Sequence, residues 1–179
     1  MYNLLLIYLV LAMGSTSWAG NPSSTYYFTA EVPEQWRKVD TDRFLLITKD
    51  GVRKQYMLVQ ERPLVKPFKY TQKILTMGMR PQTAARIIID EIAADKNISN
   101  FRVITNAPAT IAGQAGFKIA FTYKDQKGSA FQTIYCGFIK GQTFYNLRYT
   151  AARGYYFEKD TATFERFLDG FKLIKAEAT

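Results

Sequence analysis

The sequence contains no histidine and a single cysteine, Cys136. The first absence removes Ser-His-Asp and Cys-His catalysis, histidine-ligated zinc and imidazole pH switching. The second removes an intramolecular disulfide and any four-cysteine zinc site. Long apolar runs are also missing. The longest, from Leu4 to Met13, has ten residues, half of the roughly 20 a helix needs to cross a bilayer. Charge of one sign is missing in places: residues 1–19 carry no charged side chain, and no acid stands between Glu61 and Asp90.

What is present is a globular composition, with 47% hydrophobic and 15% aromatic residues. Thirteen Phe and twelve Tyr can fill a sizeable core. Lys and Arg outnumber Asp and Glu by 24 to 15, a formal net charge of +9. The N-terminal apolar run is followed by Gly14, Ser15, Thr16, Ser17, Trp18 and Ala19. A short apolar stretch ending in small residues reads as a secretory signal peptide. Ser17 and Ala19 fit signal-peptidase pockets, so cleavage is expected after Ala19. No cysteine lies near Gly14 to carry a lipid anchor. The expected mature protein is extracytoplasmic and periplasmic, with a polar leader (20–25), one domain (26–174) and a short tail (175–179).

Along that domain, 26–32 reads as a strand ended by Pro33. Asp50-Gly51 between two apolar runs (44–49 and 52–61) is the signature of a two-residue type I′ hairpin. Residues 70–76 read as one short helix inside a proline-rich stretch. Ala85, Ile88, Ile89 and Ile92 recur at helical spacing, which predicts a helix over 83–95 capped by Thr83, with Arg86 and Asp90 paired on its outer face. The second half alternates with period two and predicts strands over 101–105, 117–124, 130–139 and 145–151. Phe164, Phe167, Leu168 and Phe171 form a last helical stripe, with Asp160 as N-cap and Gly170 as stop; 171–174 reads as a final strand. Hairpins with helices set between them predict an α+β fold, an α/β/α sandwich with a mostly antiparallel sheet. Cys136, inside an apolar run, is expected to be a buried thiol, and Trp36 a packing residue.

Three segments resemble the PsbP-like superfamily. Tyr27-Phe28-Thr29-Ala30-Glu31-Val32-Pro33 followed by Trp36 resembles its opening strand, although Gln35 stands where a Gly usually precedes the Trp. Ile111-Ala112-Gly113-Gln114-Ala115-Gly116-Phe117 resembles its entry to a long hairpin. Phe144-Tyr145-Asn146-Leu147-Arg148-Tyr149 and the 164–171 helix resemble its C-terminal half. The superfamily includes bacterial envelope proteins of the DcrB type. The resemblance implies a non-enzymatic accessory, assembly or protein-binding module. Its histidine metal sites have no counterpart here, and its binding surfaces differ among members, so no binding residue carries over.

The most informative local feature is electrostatic. Arg62, Lys66, Lys69, Lys73, Arg80 and Arg86 occupy the interval without acids, interleaved with Phe68 and Tyr70. One reading is a contact for an anionic partner: a protein face, lipid headgroups or a cell-surface polyanion. The other is a solvated loop anchored by its aromatics. Nucleic acid would use the same charges, but export argues against it. Glu91 with Asp95, and Asp40 with Asp42, lack the ligand count of a cation loop and read as surface charge. Asn97-Ile98-Ser99 matches a glycosylation acceptor. Tyr145, Tyr149, Tyr155 and Tyr156 either pack between the last strand and helix or line a cleft for a small ligand or lipid. No catalytic residue, metal site or cofactor is expected.

Overall fold

The computed structural model describes residues 26–39, 41 and 44–175. The expected signal segment and leader, Asp40, Asp42 and the last four residues lie outside that range. The described elements are β1 (Tyr26–Thr29), β2 (Arg37–Val39), β3 (Phe44–Thr48), β4 (Gln55–Pro63), α1 (Pro81–Ala93), β5 (Ile98–Ile111), β6 (Gln114–Asp125), β7 (Ala130–Lys140), β8 (Thr143–Ala152), α2 (Tyr155–Gly170) and β9 (Lys172–Lys175). Seven strands form one antiparallel sheet in the order β2-β3-β4-β8-β7-β6-β5, and β1 pairs with β9 in a separate two-stranded ribbon.

Period-two side-chain alternation divides this sheet into two apolar faces. On β8, Tyr145, Leu147, Tyr149 and Ala151 join the core under α2, with Met57 and Val59 of β4 and Phe164 and Phe167 of the helix. Phe144 points the other way, into a second core with Phe117, Ile119 and Phe121 of β6, Tyr135 of β7, and Ala84, Ala85 and Ile88 of α1. One helix covers each face, as the predicted α/β/α layering requires. The ribbon closes the α2 side, where Phe28 and Phe171 lie 5.4 Å apart. Trp36 is buried and meets Tyr149 edge-on at 6.4 Å. Cys136 is buried as expected.

Several expected boundaries move, each for a local reason. The type I′ turn falls at Ala112-Gly113, where both central residues have positive φ (48° and 71°). At Asp50-Gly51 only Gly51 does (φ 100°), and the chain makes a wider turn in which the Lys54 and Gln55 amides donate to the Gly51 carbonyl. β5 runs for 14 residues through Pro108, permissible because it is the edge strand of the sheet. α1 starts two residues before Thr83, with Pro81 in its first turn, where proline's missing N–H costs nothing. α2 starts five residues before Asp160. Gly154, at φ 87°, turns the chain out of β8, and the Tyr149 hydroxyl donates to the Tyr156 carbonyl at 2.6 Å. Asp160 therefore lies inside the helix and is buried, and Gly170 is its last residue rather than its stop. Residues 70–76 form no helix: 70–71 lie in a turn and 72–76 run on without regular structure. Gln35 has a φ of 67°, a left-handed conformation that glycine takes without strain.

Candidate functional site

The basic segment leaves β4 at Pro63, crosses the α1 face and returns to start α1. Leu64, Phe68 and Leu75 are its buried anchors in the α1-side core. Between them the chain makes successive turns: the Lys66 amide donates to the Pro63 carbonyl, the Phe68 amide to Lys73, and the Met79 amide to Thr76. These turns leave Val65 and Met77 exposed at 73% and 71%. The Leu64 amide donates to the Gln142 carbonyl, which fixes Val65 beside the β7–β8 turn.

The six predicted cations divide into two groups. Arg62 is a clamp: its Nη2 donates to the Lys66 and Pro67 carbonyls at 2.7 and 2.6 Å, and its guanidinium lies 4.3 Å from the centre of the Phe68 ring. Burial lowers its pKa, though an arginine stays charged at any physiological pH. Lys69 lies over the Tyr70 ring and donates to its hydroxyl at 3.2 Å, the main reason its pKa is raised. Lys73 pairs with Asp90 at 2.7 Å, so the expected Arg86–Asp90 pair gives way to a link between segment and helix. Lys66, Arg80 and Arg86 are exposed, and no acid among the described residues pairs with them.

The carboxylates that read as surface charge turn out to fasten this segment. Glu91 accepts from the Tyr70 amide (3.0 Å), the Thr71 amide (2.8 Å) and the Thr71 hydroxyl (2.9 Å). Asp95 accepts from the Tyr70 hydroxyl at 2.7 Å and from the Asn97 amide at 2.9 Å. For each acid, burial alone would raise the pKa. The donated hydrogen bonds outweigh it and hold both below the ordinary carboxylate range. Asn97, the glycosylation-pattern residue, spends its side-chain amide on Asp95, Tyr70 and Gln126. Sequence reasoning missed these tethers because their partners stand 20 to 25 residues away. The one available signal was two acids a helical turn apart on the helix that follows a run of cations.

Of the four tyrosines near the last helix, Tyr145 and Tyr149 pack in the core, Tyr156 is half-buried and Tyr155 is exposed. Tyr145 and Tyr149 are fully buried, and Tyr149 stacks on Phe157 and Phe164 at 5.5 and 5.8 Å. A cleft of about 540 Å³ lies elsewhere on the α2 side, between that helix and the β1–β2 connection, and none of the six cations lines it.

No family model and no curated protein sequence matches the chain. Solved structures do match. Cyanobacterial PsbP (CyanoP) from Synechocystis sp. PCC 6803 is 11% identical, with a TM-score of 0.59 over 92% of this chain and 99% of that one. LpqN of Mycobacterium tuberculosis, involved in cell envelope biogenesis, is 15% identical, with a TM-score of 0.54 over 86% of each chain. The Ran-binding protein Mog1p of Saccharomyces cerevisiae is 7% identical, with a TM-score of 0.53 over 80% of this chain and 88% of its own. At such identities the likeness is one of fold, and the fold is PsbP-like, as the sequence resemblance implied.

Proposed function

We propose that this chain is an exported, non-catalytic accessory or assembly module, of the envelope type its sequence resembles, that docks on an anionic protein or envelope component through residues 62–86. The observation that carries the reading is the tethered segment itself. Arg62, Glu91 and Asp95 hold the backbone in place, while Lys66, Arg80 and Arg86 stay unpaired beside exposed Val65 and Met77. A solvated loop with no partner has no need of a fixed backbone, and ordering it costs conformational entropy. A pre-ordered cationic surface has already met that cost, so binding retains more of the contact energy. Each free cation near an anionic surface contributes about 1 kcal/mol, so three supply roughly a hundredfold in affinity. The absence of histidine and of any catalytic constellation agrees with a role in binding. The apolar N-terminal run supports export, as does the likeness to LpqN, a protein involved in cell envelope biogenesis.

The test is crosslinking of the tagged protein in its own envelope, with mass spectrometry of what is captured. It compares the wild type with a Lys66→Glu, Arg80→Glu, Arg86→Glu triple variant. These three side chains are exposed and outside both cores, so the variant should unfold at the wild-type temperature while losing most of the capture. Undiminished capture by the triple variant overturns the reading.

A further inference from the structure

The cleft on the α2 side has walls from two elements. The β1–β2 connection contributes Val32, Gln35 and Trp36, and α2 contributes Asp160, Thr163, Arg166 and Phe167. The three polar residues of the helix are spaced three apart, so they form one row on its surface, about 4.5 Å between neighbours along the axis. Their hydrogen bonding is incomplete in complementary ways.

Asp160 is only 4% exposed, yet its carboxylate accepts no hydrogen bond from any described residue. Oδ2 is wholly covered and without a partner. Oδ1 has only Lys49 Nζ near it, at 3.8 Å, beyond hydrogen-bond reach. A carboxylate offers about four acceptor positions, and leaving them empty inside a protein is costly. At the other end of the row, Arg166 is exposed and has no carboxylate partner among the described residues. Its Nη2 donates instead to the Thr163 hydroxyl at 3.1 Å. That bond draws the guanidinium back along the helix toward Asp160 and leaves the Thr163 O–H free to donate.

We propose that this cleft binds a zwitterionic α-amino acid, its ammonium donating to Asp160 Oδ1, the oxygen of that carboxylate that is not sealed off, and its carboxylate accepting from Arg166 and the Thr163 hydroxyl. An α-amino acid carries both charges on one carbon, matching an unsatisfied acid and an unpaired cation in one row. Trp36, Val32 and Phe167 offer apolar surface to a large side chain, and about 540 Å³ leaves room for one. Exposed Glu31 and Glu34 also line the cleft and attract a cationic group to it. Gln35, with its left-handed backbone at φ 67°, sits in the wall.

The experiment is calorimetric titration of the purified protein with L-phenylalanine, N-acetyl-L-phenylalanine and L-phenylalanine amide. The first probe has both charges, the second lacks the ammonium and the third lacks the carboxylate. Saturable binding of phenylalanine is expected, weakened about tenfold or more by either modification. Asp160→Asn should abolish the discrimination against the N-acetyl probe, and Arg166→Gln the discrimination against the amide. Thr163→Trp, at a half-buried position of the wall, should block phenylalanine while keeping the thermal midpoint. It serves as the control should Asp160→Asn fail to fold. No saturable binding of phenylalanine, equal binding of all three probes, or unchanged binding by Thr163→Trp each overturns the proposal.

Discussion

Glu61 has a buried Oε1 with no hydrogen-bond partner. It lies at the end of β4, on the same face as Met57 and Val59 and opposite Tyr145. Burial pushes its carboxyl up to about 7. A raised carboxylate pKa means that the folded state holds its proton more tightly than the unfolded chain, so stability falls as pH rises from the ordinary value toward 7. Glu61→Gln keeps the shape and removes the charge. It should raise the thermal midpoint at pH 8 by about 2 °C or more and leave it nearly unchanged at pH 4, as thermal unfolding at the two pH values would show. Cys136 is governed by the same physics, its thiol pushed up to about 12 by burial. That residue was legible in the sequence because apolar neighbours surround it. Glu61 was not: alternation shows which face a strand-end residue takes, but whether that face is covered depends on Tyr145, 84 positions later.

At the scale of elements, helices with apolar stripes and strands with clean alternation were readable, because their signals are local. Phe164 and Phe167 of α2 and Phe117, Ile119 and Phe121 of β6 are buried as their spacing implied. The errors gathered at ends and connections. Asp160 has an N-cap's chemistry, but the Gly154 turn and the stacking of Phe157 on Tyr149 start α2 earlier. The basic segment shows the limit most clearly. Its charge was legible, while its shape rests on Glu91 and Asp95, which belong to another element or lie just past it. Both acids are held below the ordinary carboxylate range. Their contribution is therefore complete above that range and lost as pH falls through their folded-state values. Glu91→Gln removes the charged acceptor of three donors at neutral pH. Loss of hydrogen bonds to a charged group costs about 1.5–3 kcal/mol, so the segment should open about tenfold or more often. Limited trypsin digestion at pH 8 should then cut the variant faster after Lys69 and Lys73 while the strands stay intact. Wild-type cutting rates in that variant would mean that the turns hold themselves.

At the scale of the whole molecule, the sheet is a partition. Phe144 and Tyr145 are sequence neighbours in different cores, and everything attached to those cores is separated with them. The basic segment and α1 belong to one face, the cleft and α2 to the other. The charge links described between α2 and the sheet or its turns are Lys49–Asp160 at 3.8 Å, Lys159–Asp50 at 2.9 Å and Lys118–Glu165 at 2.5 Å, and none of them reaches the basic segment. Free energies at sites without shared partners add within about 0.3–0.5 kcal/mol. The Lys66→Glu, Arg80→Glu, Arg86→Glu variant should therefore bind phenylalanine within about twofold of the wild type, and Thr163→Trp should leave partner capture unchanged. Long-range charge does not spoil the expectation: at physiological salt, fields from exposed groups decay over about 8 Å, less than the two layers of side chains and the sheet between the sites. Titrating the triple variant with phenylalanine, beside capture by Thr163→Trp, reads both directions of coupling. A change of tenfold or more in either would mean that the sheet transmits one binding event to the other, through Phe144, Tyr145 and their neighbours on β7, and that this fold works as a relay between its two faces.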